Sequence, residues 1–199
     1  YDAILAKRDT RSFADRPVPG DVLDRILQAG RMAGSARAAE PVRLIVLRDP
    51  NRRAELAACG NSTTHMLSAP LVIALVLVPE FGQVGAPFTL FRGPFDAGRA
   101  AQNMMLAAWE EGISSCPASM HHDAAAARVL ALPAGHYVVN VIAFAPQACA
   151  ALLALDDGDA VALAGGLTPK VWSDKQGTPK PALDMVASRV LTAYPAGEQ

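Results

Sequence analysis

Two arginines three residues apart, Arg8 and Arg11 in "KRDTRSF", stand where a short helix would break into a loop. Guanidiniums that close can grip a phosphate through paired, charge-assisted hydrogen bonds. Taken alone, the same pair reads equally as two solvated arginines. A second stretch, "GISSCPASM", sets small residues and a proline after an apolar helix and a strand. A turn of that kind leaves backbone N–H groups free to approach the edge of a flat heterocycle, and it also reads as an ordinary turn. A third, "GSARAAEPVRL", joins an apolar helix to an apolar strand through small residues, a serine and an arginine.

Other chemistry is poorly supported. Cys116, His121 and His122 match no zinc-ligand spacing and have no fourth partner in view. His65 and His136 are isolated, and Ser114 and Ser115 have no His or Asp at a recognisable nucleophile spacing. The chain has no G-x-x-x-x-G-K-[ST], no G-x-G-x-x-G and no G-x-S-x-G. A nucleoside triphosphate site, a dinucleotide fingerprint and an esterase elbow are thereby disfavoured.

The elements that must position these residues alternate along the chain. "YDAILAKRD" reads as a short helix and "TRSFADRPVPG" as a turn-rich connector. In "GDVLDRILQAGRMAG", Val22, Leu23, Ile26, Leu27 and Met32 fall at helical spacing, with Asp21 able to cap the start and Gly34 to stop it. "VRLIVLRD" is a strand and "NRRAELAAC" a short helix. "LVIALVLV", bounded by prolines, suits a strand buried on both faces. A Gly/Pro/Phe-rich loop over 80–95 reads as a packed flap or as a lid over an aromatic substrate. "DAGRAAQNMMLAAWEEG" is a helix apolar around most of its circumference, which belongs in a core or an interface. A short strand "ISSC", a helix "AAAARVLAL" and a strand "HYVVNVIAFA" follow. Strands alternating with helices argue for an α/β or α+β sandwich. After Pro146 the pattern weakens, until "PALDMVASRVLTAY" reads as a C-terminal helix with Pro181 near its start.

The 199 residues suffice for one domain. With 51% hydrophobic and 19% charged residues, the apolar excess favours burial in an oligomer. Lys+Arg 18 against Asp+Glu 19 leaves a net charge of −1, too weak a field to draw nucleic acid or an anionic membrane. The longest apolar run, "APLVIALVLVP", is too short to span a bilayer. Three widely spaced cysteines and no signal-peptide pattern lead to the expectation of a cytoplasmic protein with reduced thiols.

Together these pieces resemble the nitroreductase family of FMN-dependent oxidoreductases. That family opens with R-[ST]-x-R-x-[FY] and a Pro-Val-Pro-like turn; here Arg8-Asp9-Thr10-Arg11-Ser12-Phe13 is followed by "DRPVP". A helix ending in Ser-x-x-Asn-x-Gln-Pro-Trp becomes Ser35-Ala36-Arg37-Ala38-Ala39-Glu40-Pro41-Val42. "AAQNMMLAA", "GISSCPAS" and "LPAGHYVVNVIAF" follow in order over residues 1–146.

The resemblance implies an α+β fold, an α-β-α sandwich with a central, mostly antiparallel sheet, spanning 1–199 as an intertwined homodimer with FMN at the interface. It implies that Arg8, Asp9 and Arg11 lie at the FMN phosphate or ribityl chain, aided by Lys180 and Lys175. The loop Ser35, Ala36 and Arg37 of the other subunit would lie along the isoalloxazine. Pro117, Ala118 and Ser119 would face the ring, with a backbone N–H near Ser119 directed at flavin N5. The implied reaction is hydride transfer from NAD(P)H through FMN to an electron-poor acceptor such as a nitroaromatic or quinone. The flavin carries the chemistry, so no side-chain acid or base and no metal is required.

The sequence departs from the family pattern at Asp9 for Ser/Thr, Ala38 for Asn, Glu40 for Gln and Val42 for Trp. Residues 147–170 form a divergent segment. Asp9 would weaken a phosphate clamp unless it turns away or pairs with an arginine. Two further readings therefore stay open: a flavin-binding protein without reductase turnover, serving storage, sensing or interaction, and a flavin oxidase or dehydrogenase of a pathway intermediate with loop 80–95 as its substrate wall.

Overall fold

A computed structural model describes residues 1–13, 16–78, 92–147, 161–173 and 176–192. The chain forms two compact units, Tyr1–Pro146 and Gln147–Gln199. The first contains α1 (Asp2–Ala6), α2 (Gly20–Arg31), a 3-10 turn (Ala36–Ala38), β1 (Val42–Leu47), α3 (Pro50–Ala57), α4 (His65–Ser68), β2 (Leu71–Leu77), α5 (Gly93–Glu110), β3 (Ile113–Ala118), α6 (Asp123–Val129) and β4 (Tyr137–Pro146). Its four strands form one antiparallel sheet in the order β1-β2-β4-β3.

β2 explains the layering. All seven of its residues are buried. Side chains alternate across a strand, so an all-apolar strand needs cover on both faces. Val72, Ala74 and Val76 pack into a core with Leu56 of α3, Met66 of α4 and Ala126 of α6. Leu71, Ile73 and Leu75 point the other way, into a core with Val22, Leu23 and Ile26 of α2 and Ala100, Ala101, Met104 and Met105 of α5. The result is the expected α-β-α sandwich.

Local chemistry sets the helix ends. Asp49 caps α3 by accepting from Asn51 N at 2.7 Å and Arg52 N at 3.1 Å, with Pro50 at the first helical position. At α2 the expected cap is not used. Pro19 occupies that position, and Asp21 sits in the first turn, where it pairs with Arg25 at 3.1 Å. The helix ends at Arg31, ahead of Gly34. Gly30 brings α2 hard against α5: a Cβ there would lie 2.7 Å from Met104 Sδ and 2.8 Å from its Cγ.

The second unit corrects a sequence expectation. The segment 181–194 reads as helix, yet β6 (Pro179–Thr192) is a strand paired antiparallel with β5 (Val161–Ser173). The Gln176–Thr178 turn, with Gly177 at φ 80°, reverses the chain. Helical spacing in "PALDMVASRVL" competes with the β-branched residues Val186 and Val190 and with a long complementary partner. A ladder of thirteen register pairs, from Val161↔Thr192 to Ser173↔Pro179, overrides a weak local preference. No C-terminal helix is therefore present among the described residues. Phe81, Phe88 and Phe91 of the aromatic loop, and Lys175, lie outside the described residues; Phe95 sits in the first turn of α5 and is 67% exposed.

Filling the α2–α5 contact should be costly. Gly30→Val is expected to destabilise the protein by about 1–3 kcal/mol through overpacking. Gly20→Ala, which meets nothing within 4 Å, should stay within about 0.5 kcal/mol of wild type. Chemical denaturation of the two variants checks the contrast.

Candidate functional site

The first motif lies along the second. Thr10 N–H donates to the Ser115 carbonyl at 3.0 Å, and Asp9 bridges Ser115 in parallel, so the chain after α1 runs as a short extended rail outside β3. The backbone is already extended at Lys7, with φ −54° and ψ 133°. Extended chain alternates its side chains, which sets Lys7 and Asp9 on one side and Arg8 on the other. The Lys7 ammonium pairs with Asp9 and lies against Met105 of α5, while the Arg11 charge bears on His65 and Cys116. The Arg8 guanidinium instead turns back to donate to the carbonyls of Leu5 at 2.7 Å and Lys7 at 2.9 Å.

The structure therefore does not pair Arg8 with Arg11. Lys7 is the cation paired with Asp9, largely shielded at 11% exposure, with its ammonium 3.5 Å from Met105 Sδ. Sequence reasoning missed Lys7, because the extended conformation of "KRDTR" is set by its pairing with β3. Asp9 does not turn away. It pairs with the Lys7 ammonium rather than with an arginine.

Behind the rail lie His65 and Cys116. His65 is 5% exposed, its ring tilted against Phe13 with centroids 6.3 Å apart. Burial, then the Arg11 charge, push its pKa below the ordinary histidine value. Burial pushes the Cys116 thiol up, with Arg11 opposing. Cys116 is thus a core thiol beneath the site. Pro117 and Ala118 complete β3, and Ser119 emerges exposed from its end.

The connector is held elsewhere. Ser35 Oγ accepts from Glu40 N–H at 2.8 Å, and Ala36 N–H donates to Oδ2 of Asp96, a carboxylate 3% exposed in the first turn of α5, at 3.0 Å. Arg37 lies in the 3-10 turn between them. The missing side chain of Gly34 leaves room for the Arg99 guanidinium, 2.7 Å from where a Cβ would stand. Ala38 and Glu40 adopt left-handed angles, φ 52° and 44°. That region suits Asn and Gly, and costs other residues about 1–2 kcal/mol. Beside the connector runs a groove of about 620 Å³ between α2 and β1, lined by Gln28, Arg31, Ser35, Val42, Leu44 and Asp96.

This groove and the cationic rail stand at opposite sides of the sheet. The rail lies outside β3, and the connector leads into β1 at the far edge. Four inter-strand spacings amount to about 19 Å. Lys180 is an exposed residue of β6, in the second unit. Among the described residues no three His, Cys, Asp or Glu side chains cluster to hold a metal ion, and no helix is long and apolar enough to cross a membrane.

A three-layer α-β-α sandwich whose edge strand carries a cationic rail and ends in a small-residue turn defines a class of fold and site, and comparison with known proteins supplies the family. The chain belongs to the Nitroreductase family, which matches residues 4–59 and 59–145. It is 36% identical over 73 residues to an NADH dehydrogenase of Thermus thermophilus, covering 37% of this chain and 36% of that protein. It is 30% identical over 120 residues to an NADPH-flavin oxidoreductase of Vibrio harveyi, covering 56% and 50%. The chain thus spans between about a third and a half of these curated relatives. Among solved structures, the FMN complex of a protein assigned as a nitroreductase from Desulfovibrio desulfuricans matches at TM-score 0.67 and 28% identity, over 74% of this chain and 85% of that one. An FMN-dependent nitroreductase from Clostridium difficile shares the fold at TM-score 0.65 and 24% identity, over 73% and 86%.

Two outcomes follow for the site's framework. His65 binds its proton less readily folded than unfolded, so its contribution to stability is full above the ordinary histidine pKa. That contribution is lost as pH falls from there through the lowered folded-state value. Denaturation midpoints between pH 7.5 and 5 should fall more steeply for wild type than for His65→Gln. Ala38→Gly should raise stability by about 0.5–1 kcal/mol by relieving the left-handed backbone, measured by the same unfolding experiment.

Proposed function

We propose that this chain is a flavin-dependent oxidoreductase that binds FMN and draws hydride from NAD(P)H for an electron-poor acceptor such as a nitroaromatic or quinone. The observation that carries the reading is the rail: Lys7, Asp9 and Arg11 along one extended segment, fastened to β3 just before Pro117–Ser119. A flavin mononucleotide needs a cationic grip for its phosphate and an unobstructed backbone edge for its ring, and these residues fit both needs. Lys7 and Arg11 would hold the phosphate. Pro117, Ala118 and the Ser119 backbone would border the ring. Bound FMN supplies the hydride-exchanging ring that the side chains lack. The protein's share is to orient the cofactor and to present donors at its polar edge.

The connector Ser35–Arg37 stands too far from the rail to join it within one copy. We infer that a second copy supplies it, so that the groove beside β1 of one subunit faces the rail of its partner in a homodimer. A volume of about 620 Å³ lies within the range of about 300–1,000 Å³ usual for small-molecule sites. Donor and acceptor then take turns at the same ring, in a ping-pong exchange. Cys59 and Cys116, both buried free thiols, are in keeping with a reducing cytoplasm.

One observation favours a second reading. Asp9 pairs with Lys7 and offsets half of the cationic grip, as suits a flavin-binding protein without turnover. The two are separated by mixing the protein with FMN and adding NADPH or NADH without oxygen. A bound yellow flavin that bleaches supports the oxidoreductase, and one that binds but never bleaches supports the second reading. Arg11→Ala should weaken FMN binding about 10- to 100-fold, the loss of a charge-assisted bond worth roughly 1.5–3 kcal/mol. Its riboflavin affinity should barely change, and Arg8→Ala should leave both alone. Asp9→Ser, which frees Lys7, should tighten FMN binding by up to about fivefold, equivalent to ~1 kcal/mol. Fluorescence titration of the three variants reads these outcomes.

A further inference from the structure

The residues just past β3 are locked into a turn. The Cys59 carbonyl accepts from His121 N–H at 2.8 Å and from His122 N–H at 3.0 Å, and Asn61 N–H donates to His121 Nδ1 at 3.3 Å. Thr63, 4% exposed, braces the turn from within. Its hydroxyl donates to the Ala57 carbonyl at 2.6 Å and lies 3.1 Å from that of Gly60.

Gly60 sits where the two segments meet, and there is no space for a side chain. A Cβ would stand 2.9 Å from the Ser119 carbonyl oxygen, 2.4 Å from Thr63 Cγ2 and 3.3 Å from Met120 Cε. Gly60 is not among the positive-φ glycines, so close approach, not backbone conformation, demands a glycine here. An added methyl must displace something. Met120 Cε is the mobile end of a flexible chain. Thr63 Cγ2 is not, because rotating it away breaks the buried hydroxyl hydrogen bond to the Ala57 carbonyl. The Ser119 peptide is held by less: it is exposed and lies at the end of β3. The displacement therefore passes to Ser119.

We propose that Gly60 is a positioning residue for the site, setting where the Ser119 peptide meets the flavin ring. This rests on the reading that the Ser119 backbone borders that ring. The rail that would hold the phosphate is fastened upstream, at Ser115, so the two ends of the cofactor respond separately. Misplacing a reacting edge by about 1 Å can cost on the order of 100-fold in rate, while anchoring at the phosphate persists.

The test is Gly60→Ala. In the flavin-free protein, amide exchange at His121 and His122 should accelerate as the turn is pushed apart. In the FMN-loaded protein, affinity should stay within about threefold of wild type, while single-turnover reduction at saturating NAD(P)H slows about tenfold or more and the flavin potential shifts. Should Gly60→Ala fail to fold, Gly60→Ala/Thr63→Ser carries the same readouts. It removes the 2.4 Å clash, keeps the hydroxyl, and should recover part of the rate. A variant with a lowered melting temperature but wild-type rate and potential overturns the positioning role and leaves the oxidoreductase reading standing. A wild type that takes up no flavin overturns both.

Discussion

The site depends on one main-chain pairing, the Thr10 N–H to the Ser115 carbonyl at 3.0 Å. It converts a loop of mixed charge into an extended rail with two distinct sides. Without it, Lys7, Arg8, Asp9 and Arg11 would be four solvated groups, each free to sample water. With it, Lys7 and Asp9 pair against Met105 of α5, Arg11 bears on His65 and Cys116, and Arg8 turns back onto the carbonyls that end α1. Backbone alternation, rather than charge count, decides which cation can serve a ligand.

That rail is only as firm as β3, and β3 owes its place to β4 and β2. β2 is buried on both faces and divides the apolar residues of the first unit into two cores. The rail and the connector each draw on one of them. Phe13, packed against His65, anchors the rail's far end into the core beneath α3, α4 and α6. Asp96, buried at the start of α5, pins the connector on the other side of the molecule. The polar contacts of the site are thus outgrowths of the hydrophobic layering, which carries most of the stabilisation.

The connector shows how a departure from a family pattern can be tolerated and still leave a mark. Ala38 stands where an asparagine is usual, and it keeps the left-handed backbone that an asparagine would accept with less strain. The hydrogen bonds through Ser35 and Asp96 hold it there. At Asp9 the departure acts through charge. Its partner is Lys7 two residues back, so the compensation is local and no arginine is consumed.

Much of this was legible in the chain alone. The continuous apolar run of β2 announced a doubly covered strand, the spacing of Val22, Leu23 and Ile26 announced the buried face of α2, and the ordered motifs announced the family. These are local signals, set by period and by the chemistry of neighbouring residues. Three features were not legible, because each is decided by a partner distant in sequence. The side of the rail on which Lys7 falls depends on pairing with β3. The strand at Pro179–Thr192 depends on a ladder with β5 that outweighs its own helical spacing. The necessity of glycine at position 60 depends on a carbonyl at position 119. The sequence alone determined most elements of residues 1–146 and the family pattern they follow. Tertiary structure decided the strand at Pro179–Thr192 and which side chains meet, because pairing and close approach join residues whose neighbourhood no local pattern records.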